Sequence, residues 1–122
     1  VIMSAHVFNA RLDPSRPATL SRAVITGLLR GRLGFQGVVT SDDMEMKAIS
    51  SQYGLEHSVP DAIDAGIDLL CFGNNLTYDP NITGKVCDIL VRAVESGRIL
   101  ASRVDEAYGR VMALKRRAGL VS

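Results

Sequence analysis

The chain has 122 residues, 47% of them hydrophobic, and its 14 basic and 13 acidic side chains leave a formal charge of +1. This length suits one small domain or a piece of a larger one, and the near-balance of charge gives no electrostatic case for a nucleic-acid partner. No apolar run approaches the ~20 residues that a membrane-spanning helix needs, so no membrane partner is expected either.

Residues 1–7, VIMSAHV, read as a first strand. Asp13, Pro14 and Pro17 mark the loop after it, because proline fixes φ and removes a backbone donor. From Leu20 to Leu33 the residues Leu20, Val24, Ile25, Leu28 and Leu29 recur at helical spacing, and Gly34 stands where a C-cap belongs. Gly37 to Ser41 forms a second strand, β-branched enough to be buried on both faces. A looser polar stretch with Tyr53, Gly54 and a solvated His57 leads to a short helix near Val59 to Ala65, closed by Gly66. Ile67 to Phe72 is a third strand. Asn81 to Ser96 carries Ile82, Val86, Ile89, Leu90 and Ala93 on one stripe ending at Gly97. Ser102 and Asp105 then resemble a capping box that opens the last helix.

Strands alternating with helices predict an α/β fold of parallel strands joined by right-handed crossovers. Three strands leave both sheet edges open, with apolar Val1 and Ile2 on one of them. A closed (β/α)8 barrel needs ~250 residues, about twice this length. The chain is therefore expected to be part of a barrel, or a small sheet that pairs with something. Cys71 and Cys87, at non-motif spacing, read as buried free thiols rather than as a disulfide or zinc pair. Arg30, Arg32 and the Lys115–Arg117 cluster read as solvated helix ends. No signal peptide is visible, and a cytoplasmic location is the expectation.

The stretch GVVTSDDMEM, residues 37–46, sets three carboxylates directly after a buried strand. Ionised groups there must keep water or find partners, and in parallel α/β folds reactive groups gather at the carboxyl ends of strands. Adjacent strand-end residues face opposite sides, so one of Asp42 and Asp43 faces the site. The bland alternative is that one of them caps the following helix. His6 and Gly73-Asn74-Asn75 fall at the other strand ends. There His6 either contacts a substrate or is hydrogen-bonded within the rim, and Asn74 either lines the pocket or makes a turn. Two glycosylation-type triplets, Asn75-Leu76-Thr77 and Asn81-Ile82-Thr83, are short enough to arise by chance. A Mg²⁺-binding receiver domain would also use paired aspartates. It wants a strand-terminal Lys and an Asp ending a later strand, whereas Asp68 begins its strand.

Residues 28–42, LLRGRLGFQGVVTSD, resemble the signature of glycoside hydrolase family 3. The segment SRVDEAYGRVMALKRRAGL, 102–120, is similar to the part that closes this family's barrel domain, and MSAHV with RLDPSRPATLS resembles its sixth strand and exit loop. SDDMEMKAI is more like the bacterial β-N-acetylglucosaminidase branch than the β-glucosidases. Arg32 and Glu45 depart from the family's usual residues at peripheral positions. The resemblance implies the last three βα units of a TIM barrel, with Asp42 as the nucleophile of a retaining β-N-acetylhexosaminidase. His6 and Asn74 would then contact the sugar, and Asp43 and Glu45 would be supporting or capping residues. It further implies no metal or cofactor, and a terminal β-N-acetylglucosaminide of the muropeptide type as substrate. The branch draws its general acid, a His-Asp pair, from a KHFPGHG-like loop upstream of strand six, which nothing here matches. The chain alone is thus expected to be inactive, to self-associate or join the missing barrel half, and otherwise to read as a non-catalytic remnant or interaction module.

Overall fold

A computed structural model describes all residues, 1–122. Three strands, β1 (Ile2–Met3), β2 (Val39–Asp43) and β3 (Leu69–Cys71), form one parallel sheet in that order. β2 is central, which matches its apolar, β-branched start: Val38 and Val39 are fully buried. The edge strands are shorter than the sequence predicts, because neither has a second neighbour to continue its ladder. β1 pairs Ile2 with Val39 and Met3 with Thr40, and Ser4 N–H adds one more bond to the Thr40 carbonyl at 2.8 Å.

β2 and β3 are out of step by one residue. Thr40 lies opposite Leu69 and Asp43 opposite Cys71, so β2 advances three residues while β3 advances two. The Ser41 hydroxyl, fully buried, fills the gap by accepting the Cys71 N–H at 2.9 Å. Bulges of this kind bend a strand and re-aim the side chains beside a site.

The connection from β1 to β2 passes through a short 3-10 turn, Ala18–Leu20, and a π-helix, Ala23–Arg32, in place of the ordinary helix predicted over Leu20–Leu33. Its wide winding shows in Leu33 N–H, which bonds the Leu28 carbonyl five residues back. Gly34, at φ 71°, ends it as expected. Helix α1 runs over Lys47–Ala65, twelve residues earlier than its predicted start. The loose stretch exists as a break at Gly54, whose φ of 63° and ψ of 167° interrupt the helix without ending it, and His57 lies on this helix rather than in a loop. Helices α2 (Ile82–Glu95) and α3 (Ala101–Arg117) follow β3. The predicted capping box is absent: α3 starts one residue before Ser102, with Leu100 at the N-cap and no side-chain cap bond.

The core joins Leu20, Ile25, Val39, Met44, Ile49, Ala62, Ala65 and Ile67 between the sheet, the π-helix and α1. Smaller clusters seat α2 on α1 through Val59, Val86 and Ile89, and the start of α3 through Ile63, Ala93 and Ile99. Both thiols are exposed, contrary to expectation. Cys71 sits on an edge strand with no further strand to cover it, and Cys87 lies on the solvent side of α2. Leu69, Met3 and Val1 are likewise 40%, 64% and 67% exposed.

Arg30 is not a solvated helix end. Its guanidinium donates to Asp68 at 2.6 Å and to the Gly66 and Gly37 carbonyls at 3.1 and 3.0 Å. Asp68, at the amino end of β3, has a fully buried carboxylate that also accepts from Arg103 at 2.8 Å, Arg110 at 3.1 Å and the Val39 N–H at 3.0 Å. Burial pulls the Arg30 guanidinium below its ordinary pKa, opposed by Asp68 and reinforced by the like charges of Arg110 and Arg103. This cluster fastens α3, the π-helix and the starts of β2 and β3 together, at the end of the sheet opposite the acidic stretch. No helix is long and apolar enough to cross a membrane.

Candidate active site

The carboxyl ends of the three strands bring His6, Asp42–Glu45 and Gly73–Asn75 together, as the parallel order requires. The three acids of β2 and its exit have no cation within salt-bridge reach. Backbone N–H groups take that place, and the three are used differently.

Asp42 is half-buried. Its Oδ1 accepts the Asp43 N–H at 2.8 Å, and its Oδ2 has no protein partner. Asp43 turns sideways: its Oδ1 accepts from Glu45 N–H at 3.0 Å and from Gly73 N–H at 2.9 Å, which ties β2 to the loop after β3. The Glu45 Oε2 accepts the N–H of Asn74. Asp43 and Glu45 therefore tie β2 to the loop after β3, whereas the Asp42 carboxylate bonds only the N–H of its own neighbour.

His6 stands at the exit of β1 and is half-buried. Its Nε2 donates to the Asp43 carbonyl at 2.8 Å, which fixes a proton on that nitrogen, since a carbonyl can only accept. Its Nδ1 meets the Thr19 hydroxyl at 2.9 Å, and Thr19 in turn meets Ser4 at 2.9 Å. Both ring nitrogens are engaged within the protein. Asn74, with φ of 51°, adopts the left-handed conformation that asparagine tolerates. Its side chain closes the loop by accepting the Asp79 N–H at 2.8 Å and donating to the Asp79 carbonyl at 2.9 Å. Asp79 lies below the ordinary aspartate pKa because Lys85 and the Asn81 N–H bond its carboxylate.

The loop after β1 is organised by Asp13. Its Oδ1 accepts from the Ser15 N–H and hydroxyl, both at 2.8 Å, and from Arg16 N–H at 3.1 Å; its Oδ2 accepts the Ser21 hydroxyl at 2.6 Å. These bonds, led by Ser21, lower its pKa to about 2. A cavity of about 700 Å³ opens between this loop and the first turns of α1, with His6 on its wall and Phe8, Lys47, Gln52 and Tyr53 around it. No group of three His, Cys, Asp or Glu is placed to hold a metal. Sequence reasoning missed Thr19, Ser4 and Ser41. Each is a small hydroxyl whose partner lies 13 to 30 residues away, so no local pattern marks it.

The arrangement offers, at the end of a central parallel strand, a carboxylate (Asp42) bonded only to the adjacent N–H of Asp43, a residue that is itself held to both neighbouring strand ends. That is where α/β barrel enzymes carry their chemistry. Residues 1–114 match the N-terminal domain of glycosyl hydrolase family 3. A β-N-acetylglucosaminidase/β-glucosidase of Cellulomonas fimi is 35% identical over 104 residues, 85% of this chain and 17% of that protein. A solved family 3 β-N-acetylglucosaminidase from Paenibacillus sp. superposes with a TM-score of 0.88 at 44% identity, covering 97% of this chain and 22% of that one. The β-N-acetylglucosaminidase of Thermotoga maritima gives 0.81 at 35% identity, covering 91% and 24%. The chain thus spans about a fifth of the length of these relatives. With residues 1–114 matched to that domain and solved relatives superposing over nine-tenths of the chain, the chain belongs to glycoside hydrolase family 3.

Proposed function

We propose that this chain forms the last three βα units of a barrel in a longer polypeptide, a retaining β-N-acetylhexosaminidase, and that Asp42 is its nucleophile. The observation that carries this reading is that the Asp42 carboxylate bonds only the N–H of its own neighbour and leaves Oδ2 open, whereas Asp43 and Glu45 are committed to the loop after β3. In the first step Asp42 Oδ2 bonds the anomeric carbon, the glycosidic C–O bond breaks, and the leaving oxygen takes a proton from a general acid. In the second step water attacks the same carbon, gives up its proton to that group acting as base, and frees Asp42 with net retention. His6 has both nitrogens engaged, so the general acid comes from the remainder of the barrel, as in the resemblance set out above.

The substrate class is a saccharide ending in β-N-acetylglucosamine, supported by the names of the relatives. Both sheet edges and the exposed Val1, Met3 and Leu69 need cover; the preceding barrel strands supply it in the longer polypeptide, and self-association supplies it in the chain alone. The test uses the full-length polypeptide. Asp42→Asn should reduce turnover of an aryl N-acetylglucosaminide by several orders of magnitude, and a slow fluorinated substrate should label Asp42 in the unmodified protein. Label on Asp43, or faster cleavage of the aryl glucoside than of the aryl N-acetylglucosaminide, would overturn the reading.

A further inference from the structure

The third acid of the stretch, Glu45, has no role in the chemistry above, yet its carboxylate is engaged with a backbone group 29 residues away. We infer that Glu45, together with Asp43, is a positioning residue for Asp42, acting through the loop Gly73–Asp79. This rests on the reading of Asp42 as nucleophile. Four observations join up. Asp42 Oδ1 is held by the N–H of Asp43, so wherever that peptide goes the nucleophile follows. The Asp43 carboxylate holds Gly73 N–H, and the Glu45 carboxylate holds the next N–H along, that of Asn74. Asn74 is kept in a left-handed conformation and is closed on Asp79 by two side-chain bonds, which makes the loop a stiff anchor. On the other side, His6 fixes the Asp43 carbonyl.

The 42–43 peptide region is thus pinned by its own strand, by β1 and by the loop after β3. Glu45 removes the remaining freedom of that loop. Bonds from backbone N–H to a carboxylate are charge-assisted and directional, and an error of about 1 Å in a reacting group costs up to about a hundredfold in rate. Gly73 is needed for the same contact, since a Cβ there would stand 2.5 Å from Asp43 Oδ2.

The experiment compares Glu45→Ala and Glu45→Gln in the full-length polypeptide. A glutamine keeps a side-chain oxygen able to accept the Asn74 N–H. Glu45→Ala should lower kcat about 10- to 100-fold with KM changed less than about threefold, and Glu45→Gln should stay within about threefold of the unmodified protein in both. Amide exchange at Asn74 should speed up in Glu45→Ala and stay slow in Glu45→Gln. Unchanged kcat in Glu45→Ala, or equal losses in the two variants, would overturn the inference. If Asp42→Asn keeps its activity, the nucleophile assignment fails instead, whatever Glu45 does.

Discussion

Replacing Asp68 by asparagine keeps the volume and removes the charge, and the structure sets the size of the effect. The Asp68 carboxylate is fully buried and receives three guanidinium groups whose side chains are 10%, 13% and 22% exposed. It also accepts the N–H of Val39, the first residue of β2. Breaking a buried ion pair by removing one partner costs about 3–5 kcal/mol, because the other charge stays behind. Arg110 is the most open of the three and retains Glu106 at 3.6 Å, so water and Glu106 offset part of the loss. The expected cost is at the lower end, about 3 kcal/mol, a large share of the 5–15 kcal/mol typical of a domain. The chain has no Trp, so urea unfolding is followed by far-UV circular dichroism. Asp88→Asn, at an exposed aspartate with no bonded partner, is the control and should stay within about 0.5 kcal/mol. A loss below about 1 kcal/mol at Asp68, or one equal to the control, would refute the view that the cluster holds the sheet to α3.

Acid should loosen the loop after β1 late. The Asp13 pKa in the folded chain, about 2, lies below the ordinary 3.8, so its contribution is fully present above pH 3.8 and is lost as pH falls through about 2. An NMR titration of its carboxyl carbon checks this; Ser21→Ala should move the midpoint up, and a midpoint near 3.8 in the unmodified chain would sink the account. Alanine at Gly73 should destabilise by about 1–3 kcal/mol through its clash with Asp43. Alanine at Gly109, inside α3 with open space around it, should stabilise by about 0.5–1 kcal/mol. Urea midpoints decide both, and the same sign at the two positions would contradict the contacts described.

What the sequence makes legible is what repeats locally. The alternation of elements, the glycine stops at Gly34, Gly66 and Gly97, and the gathering of His6, Asp42 and Asn74 at one end of the sheet all follow from period and punctuation. The Asp68 cluster was invisible because its arginines lie 35 to 42 residues away, and Arg30 taken alone resembles any cation ending a helix. The thiols depart from expectation for a related reason. Apolar neighbours in sequence suggest burial, but Cys71 lies on an edge strand, and topology rather than composition decides its cover. The Ser102 capping box failed because α3 begins a residue earlier, leaving Ser102 inside its first turn.

The extra residue in β2 bears on why two aspartates stand side by side. Along a strand, parity decides which face a side chain serves. Deleting Ser41 would remove the out-of-step segment between Thr40 and Asp43. With Thr40 still opposite Leu69 and Asp43 still opposite Cys71, Asp42 would take the single place left between them. Asp43 would keep its hold on Gly73, but the Cys71 N–H would lose the Ser41 hydroxyl that now accepts it. The extra residue therefore gives the strand room for two adjacent carboxylates with separate duties, one bonded only to its neighbour's N–H and one tied to the next loop, neither displacing the other.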